Sequence, residues 1–229
     1  SWGRPEGIQT RPGRKPRQTG GRVRGWQGWG QFENNRCRSL AGYVLGYGSL
    51  IHPADYWALM CGFDLMDEKP LWYDLAGYRL AWNVAMNNLE QLPNYKYYVE
   101  RGTESRPDVT VTFLNIEKDQ NSTLTALAIP VNDPMLEHLD QRERNYNRTK
   151  VGEIRHPRGS MPLWAYLGSE EGRARFNAAK EQNKAVIVES YIAKVTAGYA
   201  AHGEEKLALF QQSAVHSLRI RDLDRRRSQ

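Results

Sequence analysis

Residues 43–53 read YVLGYGSLIHP, an apolar run interrupted by Gly46, Gly48 and Ser49 before it reaches Pro53. Tyr43 to Gly46 has the character of a buried strand, and Pro53 sits where a short helix through Cys61 would begin. Glycines directly after a strand first suggest a phosphate cradle. GYGSLI lacks the third glycine of GxGxxG, however, and no GxxxxGK[ST] occurs in the chain, so nucleotide binding is poorly supported. The loop does offer bare backbone: glycine permits φ values and close approaches that a side chain forbids. Exposed N–H groups of this kind suit a carboxylate or a developing oxyanion. The same residues also fit a strand that simply turns into a helix.

Outward from this loop, short apolar segments alternate with turn signals. Residues 71–87 (LWYDLAGYRLAWNVAMN) predict one or two strands around Gly77, and residues 109–116 and 123–131 flank the polar stretch EKDQNS as the arms of a hairpin. Asp133 is placed to cap a helix that has Pro134 at its first position and runs through MLEHLDQRER. Residues 151–156 and 162–167 are further strand candidates, and amphipathic helices are predicted near 184–199 and 204–218. Strands first, helices later and short connections predict an α+β domain with a mostly antiparallel or mixed sheet.

Charge separates the ends of the chain from its body. The 229 residues carry a formal charge of +6, but residues 1–40 alone contribute +7, from nine Lys/Arg against Glu6 and Glu33. Residues 219–229 add five Arg against Asp222 and Asp224, which leaves residues 41–218 at −4. The basic pI therefore describes the termini and does not make the body a nucleic-acid binder. Residues 1–38, rich in Gly, Arg and Pro, are expected to be a disordered leader, residues 39–218 the folded domain and residues 219–229 a basic tail. Trp26 and Trp29 beside Arg22 and Arg24 could stack on single-stranded RNA, although a solvated tail is the simpler reading. The Arg-rich leader also resembles an organellar transit peptide, but its Pro and Gly content opposes an amphipathic helix. Cys37 and Cys61 form no CxxC pair and imply no disulfide framework, which points to a reducing compartment such as the cytoplasm. No apolar run approaches the ~18 residues of a membrane span.

Glu143 is the residue in this body best placed for chemistry. On a helix starting at Pro134, Leu136, Leu139 and Glu143 fall at i, i+3 and i+7, so a carboxylate shares the apolar face. Burial there would raise its pKa toward the range useful for proton transfer. A helix-end Glu paired with Arg142, Arg144 or Arg148 is the plainer alternative. The five His show no HxxxH or HExxH spacing that would hold a metal. No GxSxG elbow or Cys/His dyad appears either.

Together, VLGYGSLIHP at 44–53, AGYRLAWN at 76–83, LDQRERNYNRTKV at 139–151, WAYLGS at 164–169 and ESYIAKVTAGYAAHGEEKLALF at 189–210 resemble the gamma-glutamylcyclotransferase family. The resemblance spans residues 41–218, in order. It implies a small mixed β-barrel with surrounding helices. It further implies that Tyr47, Gly48, Ser49 and Leu50 bind a glutamyl group through backbone amides, that Glu143 is the catalytic acid/base, and that Tyr146 and Tyr166 contact substrate. Many relatives read YGSN where this chain has YGSL, so Leu50 supplies no side-chain amide. The C-terminal region lacks the pattern of the glutathione-degrading branch, which argues against glutathione as substrate.

The implied reaction is physically economical. In a gamma-glutamyl amide the α-amine can close a five-membered ring on the γ-carbonyl, releasing 5-oxoproline and an amine, and such proximity replaces roughly 7 kcal/mol of barrier or more. The α-ammonium must first lose a proton, which Glu143 would take and return to the leaving amine. The glycine loop would hold the α-carboxylate or stabilise charge on the γ-carbonyl oxygen. No metal or organic cofactor is called for. The expected partner is a small gamma-glutamyl amide, with no membrane and with nucleic acid reached only through residues 1–38. A non-catalytic ligand- or partner-binding module on the same fold is the alternative, and oligomeric state is not readable.

Overall fold

Two long apolar segments rich in β-branched and aromatic residues dictate the centre of the domain. In the computed structural model, which describes residues 39–228, they form β2 (Leu71–Asn87) and β4 (Thr110–Val131), paired antiparallel along nearly their whole length. The two arms predicted as a hairpin do not pair with each other. Both pair with β2, and residues 119–122 bulge out opposite Gly77, whose φ of +79° lies in the region that glycine adopts freely. Asp119 organises the bulge by accepting from the Asn121 N–H at 3.1 Å and from the Ser122 hydroxyl at 2.8 Å. The polar residues of EKDQNS thus make an exposed irregularity, and the chain continues in the same direction.

The opposite edge of β4 is shared. At one end β1 (Gly42–Gly46) pairs antiparallel from Gly42↔Val131 to Gly46↔Leu127, and at the other β7 (Ala185–Val188) pairs parallel at Thr110 and Val111. Among the described residues no strand pairs with this edge between Thr112 and Ala126. The registers aim the carboxyl ends of both β1 and β7 into that gap. β1 also pairs parallel with β6 (Gly159–Gly168), which pairs antiparallel with β5 (Tyr146–His156). β7 pairs parallel with β8 (Arg219–Arg221). The result is an α+β domain around a mixed seven-stranded sheet in the order β5-β6-β1-β4-β7-β8, with β2 on β4. This matches the α+β class expected, and where the resemblance implied a small mixed β-barrel the sheet's pairing stays open among the described residues. A separate two-stranded sheet joins β3 (Lys96–Glu100) to β9 (Leu223–Arg227).

Among the described residues five helices cover the sheet. α1 (Pro53–Gly62) follows a single 3-10 turn, Ser49–Ile51, and α2 (Asp133–Arg142) follows β4. Asn132, not Asp133, caps α2: its side-chain oxygen accepts from the Met135 N–H at 3.0 Å, and its amide donates to the Phe63 carbonyl at 2.8 Å, tying α2 to the end of α1. α3 (Glu170–Glu181) is capped by Ser169. The helix expected from residue 184 is two elements, β7 and then α4 (Glu189–Ala200), and α5 (Glu204–Ser213) follows. The segment from Arg219, expected to be a tail, supplies β8 and β9 and belongs to the fold. Expectations for residues 1–38, including RNA association and targeting, lie outside the described residues. No helix among the described residues is long and apolar enough to cross a membrane.

The main core packs Val44, Leu45, Ile51, Leu114, Leu127, Ile129, Leu139 and Leu163 between the sheet and α1, α2 and α4. A second cluster lies where β3 and β9 meet the start of β4, around Tyr98, Val111, Phe113 and Leu223. Tyr146 and Tyr191 pack against both clusters and so stand at their junction.

Candidate active site

β1 runs into the gap along β4 and turns there through Tyr47-Gly48-Ser49-Leu50. The turn closes with the Ile51 N–H donating to the Gly48 carbonyl at 3.1 Å and the His52 N–H donating to the Ser49 carbonyl at 3.4 Å. These bonds use the carbonyls. The N–H groups of Gly48, Ser49 and Leu50 make no backbone hydrogen bond among the described residues. A short helical turn always leaves its first N–H groups without internal partners. Gly48 needs its missing side chain here for space, not for φ, which is −107°: a Cβ would stand 3.1 Å from the Tyr191 hydroxyl. The loop is held from behind by α4, where a Cβ on Gly198 would meet Ile51 at 2.7 Å and the His52 backbone at 3.0 Å.

Glu143 arrives at the same place by a different route than expected. α2 ends at Arg142, so Glu143 does not continue the Leu136 and Leu139 face; it is the C-cap, with φ −92° and ψ 54°. Its N–H donates to the Leu139 carbonyl at 2.9 Å and its carbonyl accepts from the Tyr146 N–H at 2.9 Å, which turns the chain into β5. Arg142 then bridges the two parts of the site. Its Nε lies 3.2 Å from Glu143 Oε1, and its Nη2 lies 3.4 Å from Ser49 Oγ. The Glu143 side chain is 26% exposed, so it is partly desolvated yet open to solvent. Gly48, Ser49, Leu50, Tyr146 and Tyr191 are likewise half-buried.

Tyr47 and Tyr146 are fixed donors. Tyr47 is buried, its hydroxyl donates to the Tyr166 carbonyl, and its own carbonyl accepts from the Tyr199 hydroxyl at 3.1 Å. Tyr146 donates to the Leu114 carbonyl at 2.6 Å, satisfying β4 inside the unpaired stretch of its edge. Burial raises the Tyr47 and Tyr146 hydroxyls well above their ordinary pKa, with Tyr191 and Glu143 adding to the rise. Burial likewise raises Tyr191, and it pushes Tyr95 up to about 12, again with Glu143 contributing. All four therefore stay protonated near neutrality, available to donate and not to accept a proton. Tyr166 is engaged elsewhere: its hydroxyl donates to Asp140 Oδ1 at 2.7 Å, and Asp140 also pairs with Arg148 at 3.3 Å. The structure thus brings Glu143, Gly48, Ser49 and Tyr146 together, while Tyr47 and Tyr166 support them from the core.

Sequence reasoning missed Tyr191, Tyr95 and Lys96. Tyr191 lies in the first turn of α4 and reaches Gly48 only because β7 ends in the same gap as β1. Tyr95 and Lys96 sit at the start of β3, a strand that the run KYYVE after Pro93-Asn94 could have signalled. Beside Glu143, a cavity of about 280 Å³ is lined by Tyr95, Arg144, Asn145, Asn147 and Arg175 among others; neither Glu143 nor the Tyr47–Leu50 loop lines it. Asn145 donates to the Tyr95 hydroxyl at 2.9 Å and accepts from Arg175 at 2.8 Å.

No family model and no curated protein matches this chain. Among solved structures it is similar to a protein described as a gamma-glutamyl cyclotransferase, at 10% identity and a TM-score of 0.45, over 77% of this chain and 89% of that one. An uncharacterized human protein is similar at 11% identity and a TM-score of 0.43, over the same shares of 77% and 89%. A solution structure of an Arabidopsis thaliana protein is similar at 16% identity and a TM-score of 0.34, over 61% of this chain and 77% of that one. The family whose motifs the sequence resembles is thus named among these structures.

Proposed function

We propose that this protein is a gamma-glutamyl cyclotransferase acting on a small gamma-glutamyl amide. The observation that carries the reading is that Arg142 contacts both Glu143 and Ser49, in a turn whose Gly48, Ser49 and Leu50 amides make no backbone hydrogen bond among the described residues. A carboxylate that can move a proton and a cluster of N–H donors are what intramolecular aminolysis needs.

In this reading Glu143 takes a proton from the substrate α-ammonium. The freed nitrogen attacks the γ-carbonyl carbon, and the new C–N bond closes the five-membered ring. As the tetrahedral intermediate collapses, the original amide C–N bond breaks, Glu143 returns the proton to the departing amine, and the ring nitrogen gives up its second proton to solvent. The loop amides bear negative charge of the substrate, and the Tyr146 and Tyr191 hydroxyls shape the wall around it. Proximity within the bound substrate supplies much of the rate, so the protein's task is to fold the substrate and carry a proton from the attacking to the departing nitrogen.

Incubating the purified chain with a panel of gamma-glutamyl amino acids and amines, and assaying 5-oxoproline, tests this. Release above the uncatalysed rate from at least one member is expected. Silence across the panel, together with saturable binding of the same compounds, would instead favour a non-catalytic binding module.

A further inference from the structure

Lys96 is a cation that forms no ion pair among the described residues. β3 places it antiparallel to Arg227 of β9, and its amine lies 3.9 Å from the centroid of the buried Phe113 ring and 5.8 Å from that of Tyr95. Among the described residues no carboxylate lies within ion-pair distance of it, whereas Lys150, Lys184, Lys194 and Lys206 each have one, and Lys69, Lys118 and Lys180, which also lack one, are exposed. The residue is half-buried, with its amine end resting against the core. Contact with an aromatic face offsets only part of the cost of desolvating an ammonium.

Its position relates it to the site already described. Phe113 meets Tyr191 edge-on, with centroids 5.1 Å apart, and the Tyr191 hydroxyl is the group that crowds Gly48. The charged groups that act on the amine come from two elements: Glu143 and Arg142 at the end of α2, and Arg225 on β9. Desolvation lowers the Lys96 pKa to about 8, Glu143 opposes that shift, and the two arginines reinforce it. An unpaired ammonium held near one carboxylate and two guanidinium groups is a poor structural ion pair and a good receptor for a small anion.

We propose that Lys96 is the anion anchor of the site, binding the α-carboxylate of the glutamyl group and leaving the amides of Gly48, Ser49 and Leu50 for the γ-carbonyl oxygen. This rests on the reading of the site as a gamma-glutamyl cyclotransferase centre and assigns the two negative groups of its substrate to two different receptors. It makes the free carboxylate a specificity requirement, independent of the amine that leaves.

The test uses two ring compounds that differ by one carboxylate, 5-oxoproline and 2-pyrrolidinone. Lysine ε-carbon NMR signals of the full chain, labelled with 13C-lysine, are followed during each titration, and both affinities are measured for wild type, Lys96→Met and Lys96→Gln. The expected result is a saturable shift of the Lys96 signal with 5-oxoproline only. Wild type should prefer 5-oxoproline by roughly tenfold or more, and the preference should collapse in both variants. Melting temperatures verify that the variants fold, and the wild-type signal reads the contact even where a variant does not. A preference that survives in folded variants, an unmoved Lys96 signal at saturation, or no binding of 5-oxoproline by wild type overturns the assignment. Turnover of gamma-glutamyl amides on the same samples separates the two readings. Turnover without Lys96-dependent binding sinks only the anchor, and Lys96-dependent carboxylate binding without turnover sinks only the enzyme.

Discussion

The turn that follows β1 and the β3–β9 region that carries Lys96 are built in opposite ways. On the β1 side, one contiguous stretch, residues 43–53, supplies the strand, the glycine turn and the start of α1. On the β3 side, Lys96 is placed by a two-stranded sheet whose other strand is the last in the chain, and by Phe113 from the middle of the domain. The first side is a local device supported by tertiary contacts, and the second exists only through them. Amides that must bear charge are held by a short turn whose geometry its own residues set, whereas an unpaired ammonium needs neighbours that withhold water and supply no acid.

If the β1 side depends on its support from α4, the largest stability effect should come from Gly198→Val. The new side chain would have to fit where a Cβ already meets Ile51 at 2.7 Å and the His52 backbone at 3.0 Å, and backbone cannot give way as a side-chain tip can. A loss of about 3 kcal/mol in urea unfolding is expected, with a fall in any 5-oxoproline release as the loop shifts. Unchanged stability would show that the loop holds its shape alone.

The β3 side predicts a pH signature. The Lys96 pKa is lowered to about 8 in the folded protein, below its ordinary value. Between pH 8 and about 10.4 the unfolded chain therefore keeps a proton that the folded protein has released, and stability rises with pH across that window. Wild type minus Lys96→Met, compared by urea unfolding at pH 7.5 and 9.5, should show this rise, of about 2 kcal/mol at most given a half-exposed side chain. The raised tyrosines titrate above this window and cancel in the difference. A flat difference would mean that Lys96 is well solvated and that the contrast between the two sides is false.

Tyr146→Phe probes the seam between them. It removes the donor to the Leu114 carbonyl, and about 1 kcal/mol of stability should go with it. A neutral result would place water at that carbonyl.

These differences also explain what could be read from the sequence. The glycine turn, β1, α1, the strand around Gly77 and the Pro134 helix were legible because each is encoded within about a dozen residues by turn chemistry, caps and periodicity. EKDQNS misled because a polar Asp-Asn-Ser cluster makes a bulge as readily as a hairpin, and only pairing with β2 decides between them. Glu143 was found by a helical register that the chain abandons at Arg142; it reaches the loop as a cap, because Leu139 and Tyr146 turn the backbone there. The residues from Arg219 looked like a tail because β8 and β9 are short and arginine-rich. Their pairing partners, Val186–Val188 and Lys96–Glu100, lie about 30 and 130 residues earlier. Ser169 followed by two glutamates was a readable helix start for α3 that periodicity alone passed over.

The central claim is that Glu143 moves the proton in a cyclisation over the Gly48–Leu50 amides, and comparing 5-oxoproline release by wild type and Glu143→Gln on one responsive gamma-glutamyl substrate tests it most directly. The account predicts a 10²- to 10⁴-fold loss of kcat in the variant, about the worth of general acid–base catalysis, with the melting temperature little changed. A folded Glu143→Gln protein that releases 5-oxoproline at the wild-type rate would contradict it.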